Sequence, residues 1–272
     1  MKKYTRNIVA LLILFCTLQA PSKTLVVSDI DDTIKISHVL GLADKFLNAP
    51  QTSNAFQGMS DLYLYLENKI KPQGIRFVYL SNAPVYLMLG LHLEFLNENG
   101  FPKGELLLAP DLSSQENHKI TELRRLLSTD RYDQVLLIGD NGERDVEIYD
   151  QIQKEFPGVQ FLTFIHQVYF SKSTQSPGKL LVQRQVGFVT AVDIAQTLAE
   201  KGIFQPQDLL MLNELLIMQI ARDTQDEDNG RISFPTWMDC RDFKVKKDLS
   251  GAQLYEYYKR IVSRRCSLPR SR

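Results

Sequence analysis

Cysteine is scarce in this 272-residue chain: Cys16, Cys240 and Cys266 are the only three. They form no C-x-x-C pair and no Cys/His cluster at zinc spacing, which excludes a structural zinc site. A chain of this length can bury a core without staples, so a disulfide is optional, and whether Cys240 and Cys266 pair stays open at this stage. Apolar runs of the roughly 20 residues that span a bilayer comfortably are missing, as are internal repeats and low-complexity stretches; a multi-span, collagen-like or disordered chain is excluded. Net charge is missing too, with 32 basic and 32 acidic side chains, but the balance is uneven. Residues 241–272 carry ten basic and three acidic side chains, and residues 1–20 carry three basic and none acidic. The middle, 21–240, is therefore strongly acidic. It is a poor nucleic-acid surface, and no nucleic-acid partner is expected.

What is there begins with Met1-Lys2-Lys3-Tyr4-Thr5-Arg6, an apolar run from Ile8 to Leu18, and Gln19-Ala20-Pro21. A basic start, a short apolar stretch and a small residue at the cut read as a secretory signal over 1–20. The chain is expected to be exported, periplasmic or secreted, or held as a membrane anchor if cleavage fails. Short apolar runs then alternate with longer amphipathic stretches, the pattern of an α/β parallel sheet. Strands are expected at 24–28, 75–80, 105–109, 134–138 and 160–165. Helices are expected at 60–69, with Leu62, Leu64, Tyr65 and Leu66 on an apolar side, at 85–97 and at 118–127. From 191 to 222 the pattern gives two helices parted by Gly202 and Pro206. The stripe Leu209, Leu210, Leu212, Leu215, Leu216 and Ile220 reads as core packing. A basic tail over 223–272 looks peripheral.

The first strand ends in Leu25-Val26-Val27-Ser28-Asp29-Ile30-Asp31-Asp32-Thr33. In a parallel sheet ligands bind at the carboxyl ends of strands, so this acidic cluster is placed for chemistry. An EF-hand is excluded, because Gly and Glu at the sixth and twelfth positions are replaced by Ile34 and Leu40. The fourth strand ends the same way, in Ile138-Gly139-Asp140-Asn141-Gly142-Glu143-Arg144-Asp145. Two carboxylate clusters facing one crevice repel unless a cation lies between them, and oxygen ligands suit a hard divalent ion such as Mg²⁺. The strand Phe77-Val78-Tyr79-Leu80 leads into Ser81-Asn82, and Lys119 starts a helix ahead of the fourth strand. A hydroxyl and an ammonium are what a site needs to hold a phosphoryl group.

Asp-x-Asp-x-Thr, then Ser81, then Lys119, then Gly139-Asp140 with Asp145 five residues on, resemble in their order the haloacid dehalogenase superfamily of phosphatases over residues 24–165. Phe56-Gln57-Gly58-Met59, Tyr79-Leu80-Ser81-Asn82-Ala83-Pro84, His118-Lys119 and Glu147-Ile148-Tyr149 resemble, more narrowly, the catalytic domain of actin-patch-type phosphatidate phosphatases. The resemblance implies a Rossmann-like parallel sheet of about five strands with helices on both faces, no large cap domain and a helical C-terminal extension. The catalytic domain with its following helices would span 21–222. Asp29 would be the nucleophile that carries an aspartyl-phosphate. Asp31 would be the general acid and base, in surroundings that raise its pKa. Ser81, Asn82 and Lys119 would bind the phosphate. Magnesium would be held by Asp29, the Asp31 carbonyl, Asp140 and Asp145. Thr33 would brace the loop, Asn141 would stand behind the site, and His118 would lie there or on the helix surface.

The expected activity is magnesium-dependent hydrolysis of a phosphomonoester on a membrane lipid of the phosphatidate kind. Phosphatases for nucleotides or phosphoproteins, and a non-catalytic phosphatidate-binding module, are the alternatives. Peripheral membrane contact would fall to the tail, where Lys244, Lys246, Lys247, Lys259, Arg260, Arg264 and Arg265 surround Tyr255, Tyr257 and Tyr258.

Overall fold

A computed structural model describes residues 23–41, 54–223, 231–246 and 253–267. The signal-like segment 1–20 lies outside the described residues, as does Lys247. Six strands form the central sheet: β1 (Thr24–Ser28), β3 (Ile75–Pro84), β4 (Glu105–Ala109), β5 (Gln134–Asp140), β6 (Gln160–His166) and β7 (Gln185–Phe188). Their order is β4-β3-β1-β5-β6-β7 and every pairing is parallel. β2 (Ala55–Phe56) pairs instead with β8 (Arg231–Ile232) in a separate two-stranded ribbon.

Side-chain alternation along the strands splits the interior into two layers. Val26, Phe77, Tyr79, Leu136 and Phe164 face a core shared with α1 (Met59–Ile70), α2 (Val85–Glu98), α5 (Ala191–Glu200), α6 (Pro206–Ala221) and α7 (Gln253–Ser267). Leu25, Val27, Val78, Leu137 and Ile165 face the opposite side, where α3 (Gln115–Thr129) and α4 (Asp145–Glu155) pack. Strands covered on both faces read as continuous apolar runs, which is why five of the six were recognisable.

The sheet has six strands, not five. β7 escaped because Gln-Val-Gly-Phe is a four-residue edge strand with a polar start and an internal glycine. At Gly187 the Gln167 side-chain amide packs over the strand in the space that a Cβ would take. Two helix faces also differ from expectation. In α1 the buried positions are Met59, Leu62, Tyr63, Leu66 and Ile70 at helical spacing, whereas Leu64 is 38% exposed. In α6, Ile217 is inside while Leu210 and Leu215 face out.

The expectation of a peripheral tail is overturned. Tyr255, Tyr258 and Val262 of α7 are fully buried, the Tyr258 hydroxyl lies 2.6 Å from Thr190 Oγ1, and Cys240 and Cys266 form a disulfide. Between β3 and β4 the chain holds α2 alone, so no cap is inserted there.

Candidate active site

Numbered along the chain without the ribbon, the strand order is 3-2-1-4-5-6, in which the winding reverses between β1 and β5. The crevice beyond the carboxyl ends of strands opens at that reversal, and Asp29 and Asp140 are what these two strands deliver to it. Behind Asp29 the chain folds back, with the N–H groups of Ile34 and Lys35 donating to the Ile30 carbonyl. Asp32 takes a left-handed backbone (φ 56°), which Asp tolerates better than most residues. Its buried carboxylate accepts the N–H groups of Ser37 (3.0 Å), His38 (2.6 Å) and Val39 (2.8 Å) and the Tyr169 hydroxyl. Asp32 is therefore the clamp of the loop, and burial pushes its carboxyl up to about 6.

Both oxygens of the buried Asp29 are held. Oδ1 lies 2.7 Å from Lys119 Nζ, and Oδ2 accepts the Thr33 hydroxyl at 2.9 Å. Lys119, in the second turn of α3, is fully buried and also reaches Asp145 Oδ1 at 2.7 Å and Glu143 Oε2 at 3.7 Å. Burial alone would lower the ammonium's pKa, but Asp145 and Asp29 hold it well above the ordinary lysine value. Asp145 fits beneath β5 because residue 139 is glycine: a Cβ there would sit 2.2 Å from Asp145 Oδ2.

Asp140 Oδ1 accepts the N–H groups of Gly142 (2.5 Å) and Glu143 (3.2 Å), while its Oδ2 is buried with no hydrogen-bond partner among the described residues. Burial, then the neighbouring carboxylates, push Asp140 well above the ordinary range. Asp29 is driven up in the same way, against the pull of Lys119. One oxygen each from Asp29, Asp140 and Asp145 lies within 4.8 Å of the others. An all-oxygen set with an orphaned carboxylate oxygen, carrying more negative charge than one ammonium offsets, fits a hard divalent cation.

Asp31 stands on the open side. Its carboxylate accepts the Ser37 hydroxyl at 2.5 Å and faces His92 Nε2 at 3.5 Å and Lys35 Nζ at 3.8 Å. Burial pushes its pKa up, but His92, Lys35 and Ser37 together bring it below the ordinary value, the reverse of the sequence expectation. A cleft of about 530 Å³ is lined by Asp29, Asp31, Ser81, Asn82, Leu112, Glu143 and Arg144, among others. Lys119, Asp140 and Asp145 lie buried beneath it.

All seven residues expected at the site are thus gathered at one end of the sheet. His118 is elsewhere, buried against β4, where burial lowers its pKa. Asn141 lies behind the site, tying β5 to the chain after β6 through Tyr169 O at 2.7 Å and the N–H groups of Val168 and Tyr169 at 3.1 Å. Glu143, Arg144 and His92 were missed. The first two lay in plain view inside the second acidic cluster, whereas nothing in the apolar sequence of α2 marks His92.

The class follows from comparison as well as geometry. Residues 24–167, from β1 through the end of β6, match the family model of the phosphatidate phosphatase APP1 catalytic domain, and the chain belongs to that family. Among curated relatives it is similar to phosphatidate phosphatase APP1 of Saccharomyces cerevisiae, 29% identical over 144 residues that cover 48% of this chain and 24% of that protein. An uncharacterized protein of Schizosaccharomyces pombe is 30% identical over 148 residues, covering 48% of this chain and 23% of that protein. The chain spans about a quarter of the length of these relatives.

Proposed function

We propose that this protein is a magnesium-dependent phosphatase of the haloacid dehalogenase type that removes the phosphate of phosphatidate-like lipids through an aspartyl-phosphate on Asp29. The observation that carries the reading is the Lys119 ammonium held 2.7 Å from both Asp29 and Asp145 beneath a cleft that also contains Asp31 and Ser81. The lipid substrate rests on the family and on the named yeast relative.

Asp29 attacks phosphorus, the ester P–O bond breaks, and Asp31 gives a proton to the leaving alkoxide. Asp31 then takes a proton from the water that attacks the same phosphorus, and Asp29 leaves as carboxylate with inorganic phosphate as the product. A phosphate dianion entering beside Asp31 raises that carboxyl by like charge, so the substrate supplies the shift that the free cleft lacks. Ser81, Asn82 and Lys119 hold the transferring oxygens, and Thr33 fixes the nucleophile's second oxygen. The carboxylates of Asp29, Asp140 and Asp145 and the Asp31 carbonyl would hold Mg²⁺, which when bound offsets the carboxylate and phosphoryl charge.

Phosphate release from phosphatidate in mixed micelles, nucleotides, phosphopeptides and a soluble ester, with and without a chelator, tests this. Turnover greatest on phosphatidate and silenced by the chelator is expected. Preference for nucleotides or phosphopeptides would remove the lipid, and indifference to the chelator would remove the metal.

Export belongs to the same proposal. Disulfides persist in oxidising compartments, so the Cys240–Cys266 bond supports it alongside the signal-like start. A reporter fused after residue 30 should leave the cytoplasm; retention of the full chain there would refute it. Among the described residues no helix is long and apolar enough to cross a membrane.

A further inference from the structure

We infer that the first half of α2, together with Leu112 of the cleft, is a lipid-insertion surface that seats the mouth of the cleft on a bilayer. The inference rests on the proposed lipid substrate and names the surface that brings the site to it.

Residues 85–93, Val-Tyr-Leu-Met-Leu-Gly-Leu-His-Leu, contain no acidic residue, lysine or arginine, and the inward side of α2 is already filled by His92, Phe95 and Leu96. The outward side still carries Tyr86 at 61%, Leu87 at 49%, Leu89 at 42% and Leu93 at 44% exposure. A helix on the outside of a soluble domain normally turns polar residues outward, and its exposed apolar residues occur singly. In the last turn of α2 that rule returns, with Glu94, Asn97 and Glu98 facing water.

The apolar end is the end that touches the site. α2 starts directly after Pro84, on the strand that presents Ser81 and Asn82, and Pro84 is paired with Ala109. Leu112, three residues beyond Ala109, lines the cleft and is 61% exposed. Ala83, two residues ahead of α2, lines the cleft as well, so the apolar half of the helix starts at the cleft wall. α6 also exposes Leu210, Met211 and Leu215, but among the described residues no neighbour of α6 in the chain lines the cleft.

Charge decides how such a surface would hold. The cleft is lined by Asp29, Asp31, Glu116 and Glu143, with Arg144 the only basic lining residue among the described ones, and Arg144 is paired to Glu116 at 3.1 Å. An acidic mouth gains nothing from an anionic headgroup layer, so apolar insertion must supply the affinity, and binding should survive salt. The basic tail is a weaker anchor: Tyr255 and Tyr258 are buried, Lys259 pairs with Glu256 and Arg265 donates to the Phe234 carbonyl. A phosphatidate molecule keeps its acyl chains in the bilayer while its phosphate reaches Asp29. A rim that enters the interface shortens that reach.

The test uses the full chain carrying Tyr86→Ser, Leu87→Ser and Leu89→Ser together, three exposed positions, and a thermal midpoint near that of the parent is checked first. Cosedimentation with phosphatidylcholine vesicles, with and without high salt, and hydrolysis of vesicle phosphatidate and of a soluble phosphate ester are measured. Vesicle binding and vesicle phosphatidate turnover should each fall roughly tenfold or more, the soluble ester should be unaffected, and parent binding should change little with salt. Equal vesicle binding by parent and variant overturns the inference, as does a parent that binds no vesicle. So does self-association of the parent that the variant abolishes without a change in vesicle binding, which would assign the patch to a second copy. If the variant loses vesicle binding but the parent hydrolyses no phosphatidate, the insertion surface stands and the lipid-phosphatase reading falls. If both proteins hydrolyse vesicle phosphatidate equally, the reading stands and the surface falls.

Discussion

Two buried acidic regions of this molecule are built on opposite terms. At the cleft, Asp29, Asp145 and Glu143 crowd around one ammonium, and burial and then the same three carboxylates push up the pKa of Asp140 beside them. At the start of α5, Asp193 stands in a capping box: one of its oxygens accepts the N–H groups of Val189 and Thr190, each at 3.0 Å, and the other, like that of Asp140, is buried without a hydrogen-bond partner among the described residues. Both regions carry carboxyls of raised pKa. In the second, burial is the cause, and the neighbouring groups lower it; in the first, repulsion between carboxylates is added. Burial of an acid marks only a buried acid. Unrelieved like charge facing a cleft is what marks chemistry.

The comparison breaks most sharply in kinetics. Asp29→Asn should abolish turnover and leave no phosphoenzyme to trap. Asp31→Asn should slow phosphate release by roughly 10²- to 10⁴-fold with phosphate binding largely kept, the usual worth of a positioned proton donor and acceptor. Asp193→Asn should leave kcat within about twofold, because Asp193 holds only a helix start. Steady-state assays with purified protein check all three, and full activity of Asp29→Asn would end the assignment of the nucleophile.

Stability separates the regions next. Lys119→Met strands Asp29 and Asp145 without their common partner, so in chelator the variant should lose about 3–5 kcal/mol in urea denaturation. Loss of less than about 1 kcal/mol would show that those carboxylates take up protons or water when the ammonium is gone. The Cys240–Cys266 bond closes a separation of 26 residues, for which chain entropy gives about 3–4 kcal/mol. Replacing both by serine should lower the thermal midpoint while the soluble-ester kcat stays unchanged.

The sequence disclosed the first region more fully than the second, for a physical reason. Strands buried on both faces advertise themselves as apolar runs, and the acids that end β1 and β5 sit at fixed offsets from those runs. Ser81 and Lys119 follow in the same chain order, and the fold brings these residues, distant in sequence, to one end of the sheet. What stayed hidden depends on tertiary packing. Tyr255 and Tyr258 look like any tyrosines among basic residues until α7 lies on the core. His92 meets Asp31 only because α2 packs beside the loop after β1. The exposed face of α2 was read as one more amphipathic helix, because apolar residues lie on both sides of it and periodicity alone cannot say which side is left over.

The smallest expected effect sharpens the comparison through pH. Asp193 has its carboxyl pushed up to about 6 by burial, against an ordinary value near 3.8. A carboxyl raised in the folded state contributes stability that is fully present below the unfolded value and is lost as pH rises through the folded one. The proton on Asp193 therefore stabilises the fold near pH 4 and is gone above about pH 6. Asparagine keeps a side-chain acceptor for the cap without that charge. Relative to the parent, Asp193→Asn should thus gain up to about 3 kcal/mol between pH 4 and pH 7.5. Groups that titrate alike in both proteins cancel, among them Asp32, raised to about 6, and His166, lowered to about 4 by burial. Urea midpoints of parent and variant at the two pH values measure the difference. A gap that does not change with pH would mean that Asp193 titrates as an ordinary carboxyl, and the contrast between a merely buried acid and a crowded one would lose its second half.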